Sequence, residues 1–157
     1  MKLTDIIAEG AIIARLQATS RNDAIEELVD SLIGAKAVSA DLRQELIDAV
    51  IAREEKGTTG FGKGVALPHV RHDTISGIVA AIGVSADGID FNALDREPVY
   101  SIFLLLSPSE NREDHLRAME IIFTNISQPK FRSFLRQAET VEDITTLLHD
   151  ADNQNLS

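Results

Sequence analysis

Two short apolar runs constrain the fold of this chain more than any other feature of its sequence. They read GIVAAIGV (77–84) and VYSIFLLLS (99–107), and each is apolar almost without interruption. Runs of this length without alternation are typical of strands that are covered on both faces. They therefore predict an α/β fold in which helices cover both faces of a sheet. VAL (65–67) and AIIARL (11–16) are weaker strand candidates, and SADGIDFNALDREP (85–98) has the composition of a connection.

Helical periodicity indicates the first two helices that would cover this sheet. The apolar residues of SRNDAIEELVDSLI (20–33) share one stripe, and Gly34 provides a stop signal. A second helix is predicted from about residue 39 through Arg53, with Gly57 after its end. The predicted inward residues are Ala24, Ile25, Leu28, Val29, Leu32 and Ile33 in the first helix, and Leu42, Leu46, Ala49 and Val50 in the second.

Three further helices are predicted in the C-terminal part of the chain. NREDHLRAMEIIFTNI (111–126) is rich in acidic residues at its start, as a helix N-terminus favours. Pro129 ends this helix and suits the first turn of a short one, and Thr140 with Asp143 opens the last. The predicted inward residues are Leu116, Met119, Ile122, Phe123 and Ile126 in the first of the three, and Ile144, Leu147 and Leu148 in the last.

Length, composition and charge agree with one domain and disfavour several functions. The 157 residues suit one domain, which we assign to residues 1–150, and the polar tail 151–157 is expected to be disordered. Because no apolar run approaches ~20 residues and no signal peptide opens the chain, we expect a cytoplasmic protein. The absence of cysteine excludes disulfides and thiolate catalysis. The net charge of −10 argues against nucleic-acid binding. This negative charge would attract a basic patch on a partner protein; the alternative is that it only keeps the protein soluble.

The segment EEKGTTGFGKGVALPHVRHD (54–73) nearly spells a nucleotide-binding loop. GTTGFGK (57–63) matches G-x-x-x-x-G-K, but Gly64 stands where a P-loop needs Ser or Thr for its magnesium ion. The loop also follows a predicted helix, whereas a P-loop follows a strand and opens a helix. A Rossmann fingerprint fails as well, since it requires glycine or alanine where the chain has Val65. Nucleotide binding is therefore disfavoured.

A loop of this composition can instead hold an anion through its backbone. Its glycines, Gly60 among them, let backbone N–H groups turn toward an anion, and Thr58 and Thr59 add two hydroxyl donors. Because the segment ends at Pro68 and His69, such a nest could bind a phosphoryl group attached to that imidazole. A plain turn explains the glycines equally well.

The chain has four histidines, and their positions favour different roles. His69 follows a rigid proline at a predicted strand end, where functional residues often collect in α/β proteins. Helical spacing alone makes His115 a histidine at the edge of the core and leaves His149 facing solvent. His69, His72 and Asp73 are too close in an extended segment to chelate a metal easily, so we predict no metal site. A serine-hydrolase site is also disfavoured, because the chain lacks a G-x-S-x-G elbow.

Five motifs, taken in order, resemble a known family. They are Arg53-Glu54, TTGFGKGVALPH (58–69), GIDF (88–91), Pro98-Val99 and His115-Leu116. This set resembles the type 2 IIA domain of the bacterial phosphoenolpyruvate-dependent phosphotransferase system, the fructose/mannitol family, with the nitrogen-regulatory IIA proteins as the nearest group. The resemblance covers roughly residues 3–149. It implies the mannitol-IIA-like fold, a single α/β domain with a mixed β-sheet and helices on both faces.

The resemblance also implies a phosphocarrier without cofactor or metal. His69 matches the histidine that accepts a phosphoryl group from HPr or its nitrogen-branch relative and passes it to a IIB domain, or regulates a target protein by its phosphorylation state. Arg53 matches an arginine that neutralises phosphoryl charge, and His115 matches a second histidine that orients the first or stabilises charge. Thr58 matches the hydroxyl residue of the loop, so Thr58, Thr59 and Gly60 are the expected phosphate-binding residues of that loop. Neither nucleic acid nor membrane insertion is implied.

The sequence departs from the family pattern near the expected site, and three functions stay open. Val70, Arg71 and His72 follow the Pro-His pair where a small residue is usual, and Arg96 stands where glycine is common. The extra cation and the extra titrating group could alter the choice of partner. We favour a regulatory, nitrogen-related phosphocarrier. The alternatives are a separately encoded IIA component of a sugar transporter and a binding module that is never phosphorylated.

Overall fold

A six-stranded mixed sheet forms the centre of the protein in the computed structural model, which describes residues 1–153. The strands are β1 (Ile7–Ile13), β2 (Gly60–Gly62), β3 (Val65–Ala66), β4 (His69–His72), β5 (Val79–Ile89) and β6 (Val99–Pro108). Their order is β1-β5-β6-β3-β2, with β4 also paired to β6. Strands β5 and β6 correspond to the two apolar runs. The prediction of central, doubly covered strands is therefore confirmed.

Strands β3 and β4 run one after the other along the same edge of β6. Both are parallel to β6, whereas β5 lies antiparallel to β6 on its other side. Leu67 and Pro68 interrupt the two short strands, and the carbonyl of Pro68 still accepts a hydrogen bond from the backbone N–H of Leu105 at 2.9 Å. Because proline has no N–H to donate, the pairing continues only from His69 onward. His69 thus begins strand β4 beside the centre of the sheet.

Helices cover both faces of the sheet, as predicted. They are α1 (Leu3–Ile6), α2 (Arg21–Gly34), α3 (Arg43–Lys56), α4 (Arg112–Ile126), α5 (Pro129–Gln137) and α6 (Val141–Asp152), with a 3₁₀-helix at Ala40–Leu42 before α3. Helices α2 and α3 bury their apolar faces on one side of the sheet. Helices α1, α4, α5 and α6 do so on the other. No helix within residues 1–153 is long and apolar enough to cross a bilayer.

The first two long helices form where they are predicted, but their ends differ. The Ser20 side chain caps α2 by accepting from the N–H of Asp23 at 3.2 Å. Gly34 is the last helical residue rather than the stop, and the chain turns at Lys36 with a φ of 60°. Helix α3 extends three residues beyond the predicted end at Arg53. Of its core residues, Ile47 is buried and was not predicted to face inward.

The predicted inward face of α4 is partly wrong. Ile122 and Ile126 are buried, but Leu116 is 54% exposed and Phe123 is 47% exposed. The buried face instead includes His115 and Ala118, each one position before the predicted Leu116 and Met119. Phe123 packs edge to face against Phe61, with ring centroids 5.0 Å apart. Amphipathic spacing located the helix correctly but misplaced its buried stripe.

Strand β5 and helix α6 both continue beyond their predicted bounds. Strand β5 runs through Ile89, so residues 85–89 of the predicted connection belong to the sheet. Helix α6 continues through Asp152, so disorder from residue 151 onward is wrong for its first two residues. The Asp152 carboxylate accepts hydrogen bonds from the N–H groups of Leu3 and Thr4 at 2.8 and 3.2 Å, which ties the last helix to the first. Residues 154–157 of the predicted tail lie outside the described residues.

Candidate functional site

The position of His69 is set by the interruption of strand pairing at Pro68, and its tautomer is set by the carbonyl of Leu67. The Nδ1 atom of His69 lies 2.8 Å from the carbonyl oxygen of Leu67. A carbonyl oxygen only accepts hydrogen bonds, so Nδ1 carries the hydrogen and donates it. In the neutral ring, Nε2 then keeps an unshared electron pair, as a nucleophile requires.

His115 lies beside His69 but is held by a different element. It occupies the first turn of α4, where Asn111 accepts from the N–H of Asp114 at 3.2 Å as the helix cap. The His115 side chain is buried, with 7% of the residue exposed, and its Nδ1 lies 2.7 Å from Ser107 Oγ in β6. The centroids of the two imidazole rings are 5.6 Å apart, and the ring planes are tilted by 46°. The predicted pairing of His69 with His115 is therefore present in the structure.

An open cavity of about 490 Å³ lies over the two imidazoles. It is lined by Arg53, His69, Val70, Arg71, Ser109, Arg112, His115 and Leu116. Three guanidinium groups and two imidazoles thus line the same cavity. Among the residues that the structure describes, no carboxylate lines it. The whole chain carries a net charge of −10, so this concentration of positive charge is local. A dianion suits such a site better than any cation does.

Arg53 reaches the cavity from the last turn of α3. Its Nη1 atom donates to the carbonyl oxygen of Gly57 at 2.9 Å, which braces the guanidinium against the start of the glycine-rich loop. The remaining N–H groups of a guanidinium are then available to an anion. Arg53 therefore stands where the sequence predicts it, at the mouth of the loop.

The environment keeps both imidazoles neutral near pH 7. Burial lowers the pKa of His69, and the positive charge of Arg53 acts in the same direction, against the hydrogen bond to Leu67. Burial lowers the pKa of His115 to about 4, with smaller contributions from the charges of His69 and Arg71. A neutral His69 has an electron pair for nucleophilic attack without first losing a proton.

The hydroxyl donors predicted in the glycine-rich loop have hydrogen-bond partners inside the protein. The Thr58 hydroxyl donates to the carbonyl of Phe91 at 2.8 Å and accepts from the N–H of Gly60 at 3.0 Å. The N–H and the hydroxyl of Thr59 both donate to the buried carboxylate of Glu54, each at 2.7 Å. The hydroxyl donors of Thr58 and Thr59 and the backbone N–H groups of Thr59 and Gly60 are thus used inside the protein. They fix the shape of the loop that follows Arg53.

The other histidines lie away from the cavity. His72 directs Nδ1 at the hydroxyl of Thr74, 2.7 Å away, and its Nε2 lies 3.7 Å from a carboxylate oxygen of Glu45. His149 is exposed on α6. Within residues 1–153, no group of three or more His, Asp or Glu side chains could hold a metal ion.

Comparison with known proteins gives the family of this chain. Residues 5–151 match the family model described as the phosphoenolpyruvate-dependent sugar phosphotransferase system, EIIA 2. The chain belongs to this EIIA family. The predicted resemblance and the mixed α/β fold are thereby confirmed, and EIIA domains are phosphotransfer components of that system.

Relatives of this EIIA domain carry both sugar-specific and regulatory names. The fructose-specific EIIA component of Haloferax volcanii is 36% identical over 80% of this chain and 82% of its own length. The fructose-specific EIIABC component of Bacillus subtilis is 28% identical over 97% of this chain, which spans only 24% of that relative. The crystal structure of nitrogen regulatory protein IIA-Ntr from Neisseria meningitidis superposes with a TM-score of 0.82 at 28% identity, covering 92% of this chain and 97% of that one.

The structure of this EIIA domain adds residues that sequence reasoning missed. Ser107 contacts His115, Glu54 anchors the loop, and Arg112 lines the cavity. A signal for Ser107 existed, because a hydroxyl ends the apolar stretch 102–106 shortly before the predicted helix of His115. Arg112 also carried a signal, since a cation in the first turn of a helix opposes the helix dipole.

The low pKa of His115 predicts a specific dependence of the folding stability on pH. In the unfolded chain a histidine titrates near 6.5, whereas His115 in the folded protein titrates near 4. Between these values the unfolded state binds more protons, so the free energy of unfolding falls as the pH drops from about 6.5 toward 4. His115→Asn should remove most of this pH dependence and leave the share of His69, whose pKa burial also lowers, as measured by urea unfolding at a series of pH values. A profile that keeps its full slope in the variant contradicts the assignment to His115.

Proposed function

We propose that this EIIA domain is a phosphocarrier that accepts a phosphoryl group on Nε2 of His69. The observation that carries the proposal is the tautomer of His69, which leaves an electron pair on Nε2. His69 lines a cavity that three guanidinium groups also line. In the transfer, the Nε2 electron pair forms the new P–N bond while the P–N bond to the donor imidazole breaks. The electron pair of the broken bond returns to the donor ring nitrogen, so neither a nucleotide nor a metal ion is needed.

The residues around His69 have distinct parts in the proposed reaction. Phosphoryl transfer depends mainly on positioning and on stabilising the charge of the three phosphoryl oxygens. Arg53 supplies positive charge and N–H donors, and His115 supplies a further group close to the first imidazole. Thr58 and Thr59 act indirectly, because their hydrogen bonds hold the loop that begins beside Arg53. In this proposal the two hydroxyls support the loop rather than contact the phosphoryl group.

The proposed partners are proteins that carry or receive a phosphoryl group. The donor is HPr or its nitrogen-branch relative, met in the cytoplasm, and the acceptor is a IIB domain or a regulated target protein. We favour the regulatory role because the match to the Neisseria nitrogen regulatory protein covers nearly all of both chains. The Haloferax fructose-specific relative, which is more similar in sequence, supports sugar transport as a second candidate. Transfer from the phosphorylated domain to a fructose-type IIB domain would favour this second role.

A mass spectrum tests the proposal without assuming a target. The protein is incubated with phosphoenolpyruvate, enzyme I and HPr, and its intact mass is measured at neutral pH. The expected gain is one phosphoryl group, which is lost in acid as a phosphohistidine requires, and which maps to the peptide containing His69. No gain in mass, with either HPr or its nitrogen-branch relative as donor, would favour the binding module that is never phosphorylated.

A further inference from the structure

The Ser107 hydroxyl is a buried polar group with a single partner. Ser107 lies near the end of β6, opposite Arg71 of β4, and none of its surface is exposed. Its Oγ makes one side-chain hydrogen bond within residues 1–153, to Nδ1 of His115 at 2.7 Å. A buried hydroxyl hydrogen is costly to leave without an acceptor.

The direction of this hydrogen bond follows from the acceptors in reach. If Nδ1 of His115 carried the hydrogen, it would donate to Ser107 Oγ and leave the serine hydrogen without an acceptor among the described residues. If Ser107 donates instead, the electron pair of Nδ1 satisfies the hydroxyl. The neutral His115 ring then carries its own hydrogen on Nε2. Ser107 therefore favours the Nε2–H tautomer.

The two imidazoles of the site thus have opposite tautomers, because different groups support them. The carbonyl of Leu67 takes a hydrogen from Nδ1 of His69 and leaves Nε2 as an electron-pair donor. The hydroxyl of Ser107 gives a hydrogen to Nδ1 of His115 and leaves Nε2 as an N–H donor. One ring can therefore attack phosphorus while its neighbour hydrogen-bonds a phosphoryl oxygen.

We propose that Ser107 is a positioning residue that sets the tautomer of His115, so that this neutral ring offers its Nε2–H to a phosphoryl oxygen on His69. The inference rests on the proposed phosphocarrier function. The charged groups that line the cavity with His115 are the guanidinium groups of Arg53 on α3, Arg71 on β4 and Arg112 on α4, and His69 lies beside His115. No carboxylate lines the cavity within residues 1–153, so nothing there favours an imidazolium before the phosphoryl group arrives. A neutral N–H donor avoids adding a fourth cation.

The tautomer is tested on the unphosphorylated protein by NMR of ¹⁵N-labelled histidine. Wild type is expected to show His115 with its hydrogen on Nε2, whereas Ser107→Ala should populate the Nδ1–H tautomer. Ser101→Ala is the matched control, because Ser101 is equally buried in β6 and its Oγ has no hydrogen-bond partner in the described structure. Ser107→Thr retains a hydroxyl donor and should restore the wild-type pattern. An unchanged His115 tautomer in Ser107→Ala overturns the inference.

The rate of phosphoryl acceptance gives a second, independent readout. Ser107→Ala should lower the rate of His69 phosphorylation by about tenfold, the effect expected from losing one hydrogen bond in the transition state. Ser101→Ala should leave this rate unchanged, and Ser107→Thr should recover it. If wild type is phosphorylated but Ser107→Ala keeps its tautomer, only the role of Ser107 fails. If wild type is never phosphorylated, the proposed function fails and the donation to a phosphoryl oxygen fails with it, whatever the tautomer.

Discussion

Replacing His69 with glutamine is expected to abolish phosphoryl incorporation completely. Glutamine is close to histidine in size and can still hydrogen-bond, but its amide nitrogen has no electron pair available for attack on phosphorus. The substitution therefore removes the nucleophile and leaves Arg53 and the glycine-rich loop in place. Incorporation is measured by the intact mass after incubation with phosphoenolpyruvate, enzyme I and HPr.

The neighbouring histidine provides the control for this experiment. His72 belongs to the same strand as His69, but its ring contacts Thr74 and lies near Glu45 rather than in the cavity. His72→Gln should therefore accept one phosphoryl group at close to the wild-type rate. A full phosphoryl gain in His69→Gln would show that another residue is the acceptor, and the proposed site would then be wrong.

The sheet and its helices could be predicted because their signals are local. The apolar runs in β5 and β6 are almost without interruption, whereas a strand with one face in solvent alternates apolar and polar residues. The cap of α2 is encoded by Ser20 and Asp23, which are three positions apart. Such signals need no knowledge of distant contacts. The same locality explains the errors, since the exposure of Leu116 and Phe123 depends on which side of α4 meets the sheet. The sequence spacing alone allowed either choice.

The candidate site was predictable only in part. The Pro-His pair and the motif order identified His69, Arg53 and His115, and the structure brings these three residues to one cavity. The partners of Thr58 and Thr59 could not be predicted, because the Thr58 hydroxyl bonds a carbonyl 33 residues away and the acceptor of Thr59 is a buried glutamate. Hydroxyl donors in a glycine-rich segment, with no partner evident in the sequence, therefore do not by themselves indicate an anion site.

Arg53→Met is expected to lower the rate of phosphoryl acceptance by about 10²–10³-fold, the usual effect of removing one preorganised donor to a transition-state charge. Arg53 is braced by the carbonyl of Gly57, so its guanidinium is held in place before the phosphoryl group arrives. Methionine keeps much of the unbranched side-chain volume but has neither charge nor N–H donor. Arg53→Lys should recover only part of the rate, because an ammonium is a point charge without the planar fork of donors.

The same substitution elsewhere on α3 separates this effect from a general loss of positive charge. Arg43 lies at the start of α3, where it pairs with Asp30 at 2.6 Å and Glu26 at 2.8 Å and does not line the cavity. Arg43→Met changes the net charge by the same amount as Arg53→Met, yet it should leave the rate of phosphorylation nearly unchanged. Stopped-flow or quenched-flow rates with a fixed concentration of phosphorylated HPr make the comparison. Equal losses in the two variants would mean that long-range attraction of the donor, rather than charge placed at His69, accounts for the contribution of Arg53.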